Sequence, residues 1–165
     1  MKKLFIIILT GFIIIDIGTA CFERPNPDPT IVQINVVNGS AAATGAATVS
    51  LYSSMTDLNN GFPSYAQTTD DNNNVSIRVD YQSQYYVVVT RGPAKNYYSG
   101  FIPVGVFQSQ TDINNSPSQN PAGVVGGIKF KDVNGDGVIN NGDKINAPVI
   151  TLRQSTTNFE SITVY

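Results

Sequence analysis

The sequence predicts an all-β domain, an antiparallel β-sandwich, and three observations carry that prediction. Residues that favour strands and polar turns (Tyr, Thr, Ser, Asn, Gly and Val) are abundant, whereas charged residues make up only 13% of the chain. Short segments alternate apolar and polar side chains at period two, and turn signals separate them. At 165 residues the chain has room for one domain of ordinary size.

Individual strands follow from this alternation. Residues 30–37 and 75–81 alternate cleanly, whereas 84–91 is a continuous apolar run typical of a central strand. Pro103 indicates a sheet edge or a bulge. Residues 108–123 form a long polar loop, and no helix is predicted anywhere in the domain. We predict strands over residues 30–37, 46–53, 64–69, 75–81, 84–91, 97–107, 124–130, 147–153 and 160–165.

Residues 1–20 have the organisation of a signal peptide. A positive "MKK" precedes an apolar run that is too short to span a bilayer comfortably. The small residues of "GTAC" end at Cys21, the only cysteine, and this ending resembles the lipobox of bacterial lipoproteins. The resemblance implies that Cys21 is lipidated and becomes the first residue of the mature protein, although Gly18 stands where Leu is usual. The alternative is a plain secreted protein with one unpaired cysteine.

Residues 21–29 predict a stiff tether, because their prolines alternate with other residues and favour an extended backbone. The β-sandwich domain is therefore expected over residues 30–165. The net charge of the whole chain is −2 and no basic patch is present, which argues against a nucleic-acid partner.

The segment "DVNGDGVINNGD", residues 132–143, has the oxygen-donor spacing of a calcium loop. Gly137 holds the sixth position, where such a loop turns sharply, and Asn140 holds the ninth, which often acts through a water. Hard oxygen ligands suit Ca²⁺ better than Zn²⁺, which prefers His or Cys. The predicted Ca²⁺ ligands are the side chains of Asp132, Asn134, Asp136 and Asp143 and the backbone carbonyl of Val138.

The alternative for this segment is an Asn-, Asp- and Gly-rich turn that binds no metal. Position 12 is Asp143 rather than Glu, as in dockerin-like loops, and predicted strands rather than helices flank the loop. We therefore expect an isolated calcium loop inserted in the sandwich rather than a paired EF-hand sensor. Because three carboxylates repel one another without a cation, the expected role of the ion is structural.

Three stretches carry a family resemblance: "GAATVSLYSS", "TTDDNNNVSIRV" and "YYVVVTRG". They are similar to transthyretin-like sandwiches, a group that includes carboxypeptidase regulatory domains, in a V-x-L-Y strand, a T-D-x-x-G-x-V turn and a Y-Y-V strand. Asn73 or Asn74 stands where Gly is usual, and Asn tolerates the left-handed conformation. The resemblance covers about residues 30–91, implies a transthyretin-like or immunoglobulin-like sandwich, and says little about function.

The order of lipobox, proline tether, sandwich and calcium loop resembles small surface lipoproteins of Bacteroidota, which often accompany TonB-dependent nutrient-uptake systems. This implies a non-catalytic accessory subunit, anchored in outer-membrane lipid through Cys21 and exposed at the cell surface. The implied partners are a β-barrel transporter and its associated lipoproteins. The alternative is a glycan-binding or adhesive module. In such a module exposed tyrosine rings would stack on sugars, and the candidates are Tyr85, Tyr86, Tyr97 and Tyr98. The alternative is that adjacent tyrosines on a strand divide between the core and the surface.

Catalysis is disfavoured by the residue types available. The chain has no His, so neither a Ser-His-Asp nor a Cys-His arrangement can form. Asp70 and Asp71 are a candidate carboxylate pair for glycoside hydrolysis, but a hairpin turn is the simpler interpretation. Lys129 and Lys131 alternate with apolar residues and are expected to face outward, which does not suit a buried Lys–Asn cross-link.

Overall fold

The computed structural model describes residues 28–41, 43–116 and 123–165. The predicted signal peptide over residues 1–20, Cys21 and most of the predicted tether over 21–29 lie outside the described residues. In the part of the chain that is described, no helix is both long enough and apolar enough to cross a membrane.

The fold is all-β, as predicted. Strands make up 42% of the structure and helices 11%, so the strand content decides the class. Two short α-helices, α1 (Met55–Asn60) and α2 (Gln110–Asn114), and a one-turn 3-10 helix (Asn141–Asp143) accompany the strands. The strands are β1 (Thr30–Asn38), β2 (Thr48–Tyr52), β3 (Tyr65–Thr68), β4 (Asn74–Val79), β5 (Gln84–Arg91), β6 (Ala94–Lys95), β7 (Pro103–Val106), β8 (Ile128–Phe130), β9 (Val149–Thr151) and β10 (Thr157–Val164).

A three-stranded sheet is ordered β10-β1-β4. Strand β4 runs antiparallel to β1, but β10 runs parallel to it, with Ile31 opposite Thr157 and Asn38 opposite Val164. The prediction of a purely antiparallel sandwich is wrong at this pair. β1 and β10 are the first and last strands in the sequence, and the strands of the second sheet come between them along the chain. Parallel pairing requires such a long crossover connection.

A larger sheet is ordered β3-β2-β5-β6, and β9 also pairs with β5. Strand β5 is therefore hydrogen-bonded along both edges, which confirms the prediction of a central strand from its apolar run. Its side chains nevertheless alternate: Tyr85, Val87 and Val89 are buried, whereas Tyr86 and Val88 are half-buried on the opposite face.

Both sheets contribute to one hydrophobic core, so the arrangement is sandwich-like. Period-two alternation places one face of β1, β2 and β4 inward, as the sequence pattern predicted, and one face of β5 also lies inward. The larger apolar side chains of this core are Val32, Ile34, Val36, Val49, Leu51, Val75, Ile77, Val79, Tyr85, Val87, Val89, Ile150, Leu152 and Val164.

One charged side chain is buried beside the core. Arg91, 2% exposed, donates to the side-chain oxygens of Asn38 and Asn73, the latter at 2.8 Å. Asn73 has a φ of 63°, so it adopts the left-handed conformation that Asn tolerates better than most side chains. Asn also supplies an amide oxygen that Gly would lack, and this oxygen links the turn to Arg91.

The two α-helices contradict the expectation of a helix-free domain. Ser54 accepts a hydrogen bond from the Asp57 N–H at 3.1 Å, and Ser109 accepts one from the Asp112 N–H at 3.1 Å. Both are N-caps in a Ser-x-x-Asp pattern, which satisfies helix donors that would otherwise lack partners. Neither helix has a fully buried residue, so no apolar stripe was present to reveal it.

A separate two-stranded sheet, β7-β8, leads into the loop over residues 132–143. The pairing register shifts between Pro103 and Gly105, which confirms the bulge predicted at the proline. Lys129 of β8 is half-buried, because its Nζ lies 2.7 Å from Asp112 Oδ1 and 5.2 Å from the centre of the Phe107 ring. The expected outward orientation therefore holds for Lys131, which is exposed, but not for Lys129.

Candidate metal centre

The candidate calcium loop is attached to the preceding segment at both of its ends. Before the loop, the Lys131 N–H donates to the Ile102 carbonyl at 2.9 Å. After it, the Ile145 N–H donates to the Gly100 carbonyl at 2.9 Å, and the Tyr97 hydroxyl donates to the Ile145 carbonyl at 3.2 Å. The loop is therefore closed on the segment between β6 and β7.

Asp132 organises the first half of the loop. Its Oδ1 accepts the Gly135 N–H at 2.7 Å and its Oδ2 accepts the Gly137 N–H at 2.8 Å. These glycines have φ values of 72° and 81°, in the left-handed region that side chains rarely adopt. The backbone thereby curls around the Asp132 carboxylate, whose oxygens each keep a further lone pair.

Asn134 and Asp136 continue the same pattern. The Asn134 Oδ1 accepts the Asp136 N–H at 3.0 Å, and the Asp136 Oδ1 accepts the Val138 N–H at 2.8 Å. The Asn134 amide also donates to Asp136 Oδ2 at 2.9 Å. These two predicted ligands are therefore joined to each other, and a cation that took Asp136 Oδ2 would replace the amide as its partner.

Asp143 closes the loop from its far end. The side chain is 1% exposed, and its two oxygens accept the Asn140 and Val133 N–H groups, both at 2.8 Å. The Asn140 and Val133 N–H groups, in that order, are the largest causes that lower the pKa of Asp143 below its ordinary value; burial opposes them. Smaller contributions that also lower this pKa come from the Asn134 N–H group and, last, from the Asp132 side chain.

Val138 and Asn140 occupy the second half of the loop. The Val138 carbonyl, a predicted ligand, accepts the Asn140 side-chain amide at 3.3 Å. The Asn140 Oδ1 accepts the Gly142 N–H at 2.7 Å and so caps the one-turn helix that carries Asp143. Ile139 is 8% exposed between them, which anchors the loop against the protein by its apolar side chain.

The donor chemistry of the loop fits a hard cation, but its carboxylates are not gathered into one cluster. Among the described residues, no group of three or more His, Cys, Asp or Glu side chains is close enough to hold a metal ion. Asp132 and Asp143 each accept two backbone N–H groups, whereas Asp136 accepts the Asn134 side-chain amide as well as the Val138 N–H group. A seven-oxygen Ca²⁺ site would have to complete its shell with amide and carbonyl oxygens and water, all of which are normal calcium ligands.

Most of the other predicted site residues take part in structural hydrogen bonds. The Asp70 Oδ1 accepts the N–H groups of Asn72 and Asn74 at 2.9 and 2.8 Å, so this carboxylate caps the hairpin turn. Tyr85 and Tyr97 are buried, and Tyr86 and Tyr98 are half-buried. Their hydroxyls include three that donate to backbone carbonyls, those of Tyr85, Tyr97 and Tyr98.

The sequence does not reveal the role of Tyr97. By sequence alone Tyr97 is a candidate platform for sugars, whereas its hydroxyl donates to the Ile145 carbonyl at the exit of the candidate calcium loop. No local pattern marks this role, because the two partners are 48 residues apart.

Comparison of the chain with family models, with curated proteins and with solved structures finds no match in any of the three.

Proposed function

We propose that this chain is a non-catalytic lipoprotein, anchored in outer-membrane lipid through acylated Cys21, that serves as an accessory subunit of a TonB-dependent nutrient-uptake complex. The observation that carries the proposal is the order of a lipobox-like "GTAC", a proline tether and one all-β domain. A short tether would hold the domain close to the membrane surface, within reach of a β-barrel transporter and its associated lipoproteins.

We assign the domain to the transthyretin-like type of sandwich on three supporting features. The V-x-L-Y stretch ends strand β2 at Tyr52, the T-D turn is capped by Asp70, and the Y-Y-V stretch forms β5. Strands β2 and β5 pair directly, and their inward faces share one core with β1 and β4. The parallel β1–β10 pair is compatible with two sheets that close over a common core.

The loop over residues 132–143 is the proposed Ca²⁺ site, with Asp132, Asn134, Asp136, Asp143 and the Val138 carbonyl as ligands. Support comes from hydrogen bonds that already turn the backbone around the carboxylates at the first and last ligand positions, Asp132 and Asp143. Bound Ca²⁺ would neutralise carboxylate charge in the loop. Millimolar extracellular calcium would fill even a weak site, so the proposed role is to stabilise the fold.

Replacement of the proposed anchor tests the first part of this function. Cys21→Ser should move the protein from the membrane fraction to the soluble fraction, because the serine hydroxyl is not a substrate for thiol acylation. Mass spectrometry of the N-terminal peptide should find lipid on Cys21 in the wild type. Unchanged fractionation of the variant, with no lipid mass on the wild-type peptide, would contradict the anchor.

The accessory role is tested by isolating the tagged wild-type chain from native membranes in mild detergent. We expect a TonB-dependent β-barrel to co-elute in stoichiometric amount, and protease added to intact cells to remove the domain. The Cys21→Ser chain is the matched control, and it should elute without the transporter. A wild-type chain that elutes alone would refute the partnership and leave the lipid anchor standing.

A further inference from the structure

The outer face of the three-stranded sheet carries an open cleft of about 710 Å³. Because side chains alternate along a strand, the face that is turned away from the core presents every second residue of β1, β4 and β10. The side chains on this face that line the cleft are Gln33, Asn35, Asn74, Ser76, Phe159 and Ser161, and Asp70 also belongs to the lining.

Pairing across the sheet orders these side chains into two rows. In the first row Phe159 lies opposite Gln33, which lies opposite Ser76. In the second, Ser161 lies opposite Asn35, which lies opposite Asn74. Two strand spacings of about 4.8 Å make each row about 10 Å long, roughly the length of two linked pyranose rings.

Phe159 is the unusual member of this face. It is 74% exposed, more than any other large hydrophobic residue among those described. Gln33 lies opposite it, Thr157 and Ser161 precede and follow it on the same face of β10, and the half-buried Ile31 is the one apolar neighbour among these positions. An aromatic ring among mainly polar neighbours provides one flat apolar contact without the wide apolar area of a protein or membrane interface. Ligand sites combine such a contact with a few polar groups that fix orientation.

The polar groups around the ring remain available to a ligand. The described structure gives the side chains of Gln33, Ser76 and Ser161 no protein partner, and Asn35 uses one amide hydrogen to bond Asn74 at 3.0 Å. Amides and hydroxyls both donate and accept hydrogen bonds, as do the hydroxyls of a sugar. The cleft lining contains carboxylates but no Lys or Arg, which disfavours anionic ligands.

We propose that this face binds a neutral oligosaccharide whose flat, equatorially linked rings lie across the three strands. One pyranose ring stacks its C–H face on Phe159, and its hydroxyls bond to Gln33, Asn35 and Ser161. The next ring reaches Ser76 and Asn74. This site goes beyond the accessory-subunit function, and neither Cys21 nor the calcium loop takes part in it, so each proposal can fail without the other.

The test is a nuclear magnetic resonance titration of the ¹⁵N-labelled full chain in detergent with cellopentaose, xylopentaose and maltopentaose. Cellopentaose or xylopentaose should shift the amide signals of residues 33–35, 74–76 and 159–161, whereas maltopentaose, which is helically twisted, should bind more weakly. Phe159→Ala should lower the affinity about tenfold or more, equivalent to about 1.4 kcal/mol. Phe159→Tyr should retain binding, since it keeps the ring.

Phe62→Ala is the matched control, because Phe62 is 70% exposed and does not line the cleft; its affinity should equal that of the wild type. An unchanged melting temperature in Phe159→Ala excludes misfolding as the cause of a loss. Signals that do not move at millimolar concentrations of all three sugars would overturn the proposal, as would equal binding by Phe159→Ala. Concentration-dependent broadening of the same signals without sugar would overturn it in favour of contact between copies of the chain.

Discussion

The hydrophobic core and the loop over residues 132–143 are held together by different interactions. In the core, Val32, Leu51 and Ile77 are 0% exposed and are stabilised by removal of apolar surface from water. In the loop, Asp132 and Asp143 fix the backbone by accepting main-chain N–H groups. Stability that comes from apolar burial should therefore be insensitive to ions, whereas stability that depends on carboxylates should respond to any cation they bind.

The two regions are nevertheless connected through one short segment. The buried Asn96 side chain accepts the Val89 N–H at 2.8 Å and donates to the Val87 carbonyl at 3.2 Å, which ties the segment to the central strand β5. Immediately after it, Tyr97 and Gly100 hold the exit of the loop. A cation in the loop should therefore stabilise the whole domain when it unfolds as one cooperative unit.

The largest expected effect comes from a cavity in the core. Leu51→Ala should lower the free energy of unfolding by about 2–5 kcal/mol, because Leu51 is fully buried and its neighbours cannot fill the space. Urea denaturation should give the same loss in chelator and in calcium. Val37→Ala, at a position 41% exposed, is the control and should cost less than about 1 kcal/mol. Equal losses in the two variants would contradict the core described here.

The second effect is the response of the loop to calcium. At 100 times the dissociation constant, Ca²⁺ should raise the free energy of unfolding by about 2.7 kcal/mol, since the unfolded chain cannot hold the ligands together. The melting temperature should rise with calcium and fall with chelator. Asp132→Ala should abolish this response, because its carboxylate turns the first half of the loop.

Asn141→Ala is the matched control for the loop, since position 141 is not a proposed ligand, and its response to calcium should equal that of the wild type. Calorimetry should give one binding event per chain. Identical melting of the wild type in chelator and in millimolar calcium, without binding heat, would show that the segment is only a polar turn.

The sequence predicts the strands of the core well because their signal is local. The strands predicted over 97–107 and 124–130 are shorter in the structure, at Pro103–Val106 and Ile128–Phe130, and the sequence does not predict β6. Burial at every second residue of β1 and β4 depends only on which face meets the core, and the alternation records that face directly. Pairing is different: Ile31 lies opposite Thr157, and nothing near either residue specifies this parallel partner. The first-to-last pairing depends on the path of the whole chain between the two sheets.

The candidate metal site likewise has features that a local sequence pattern predicts and others that it does not. The spacing of Asp132, Gly137 and Asp143 predicts a curled loop, and its carboxylates do turn the backbone. The spacing does not predict that the Asn134 amide donates to Asp136 Oδ2, or that the Tyr97 hydroxyl donates to the Ile145 carbonyl at the exit of the loop. Tyr97 and Tyr98 are adjacent aromatic residues, so hydrophobic periodicity does not show that their side chains have different surroundings.

Tyr85, at the edge of the core, combines both kinds of interaction, because its apolar ring is buried while its hydroxyl makes a hydrogen bond. Tyr85 is 2% exposed, its ring meets the Tyr65 ring edge-on at 5.9 Å, and its hydroxyl donates to the Asp80 carbonyl at 2.7 Å. Burial, followed by Tyr65 and then Asp80, raises the pKa of Tyr85 from 10.0 to about 12.

The consequence is a loss of stability in alkali that calcium should not alter. Between pH 10 and about 12 the unfolded chain releases the Tyr85 proton while the folded chain retains it, so stability falls as pH rises, by roughly 1–2 kcal/mol. Tyr85→Phe should be less stable near pH 8, because it loses the hydrogen bond to Asp80. Its decline above pH 10 should nevertheless be shallower than that of the wild type or of the control Tyr86→Phe, as measured by urea denaturation at each pH. Parallel declines in all three proteins would show that the Tyr85 phenol ionises as readily in the folded domain as in the unfolded chain.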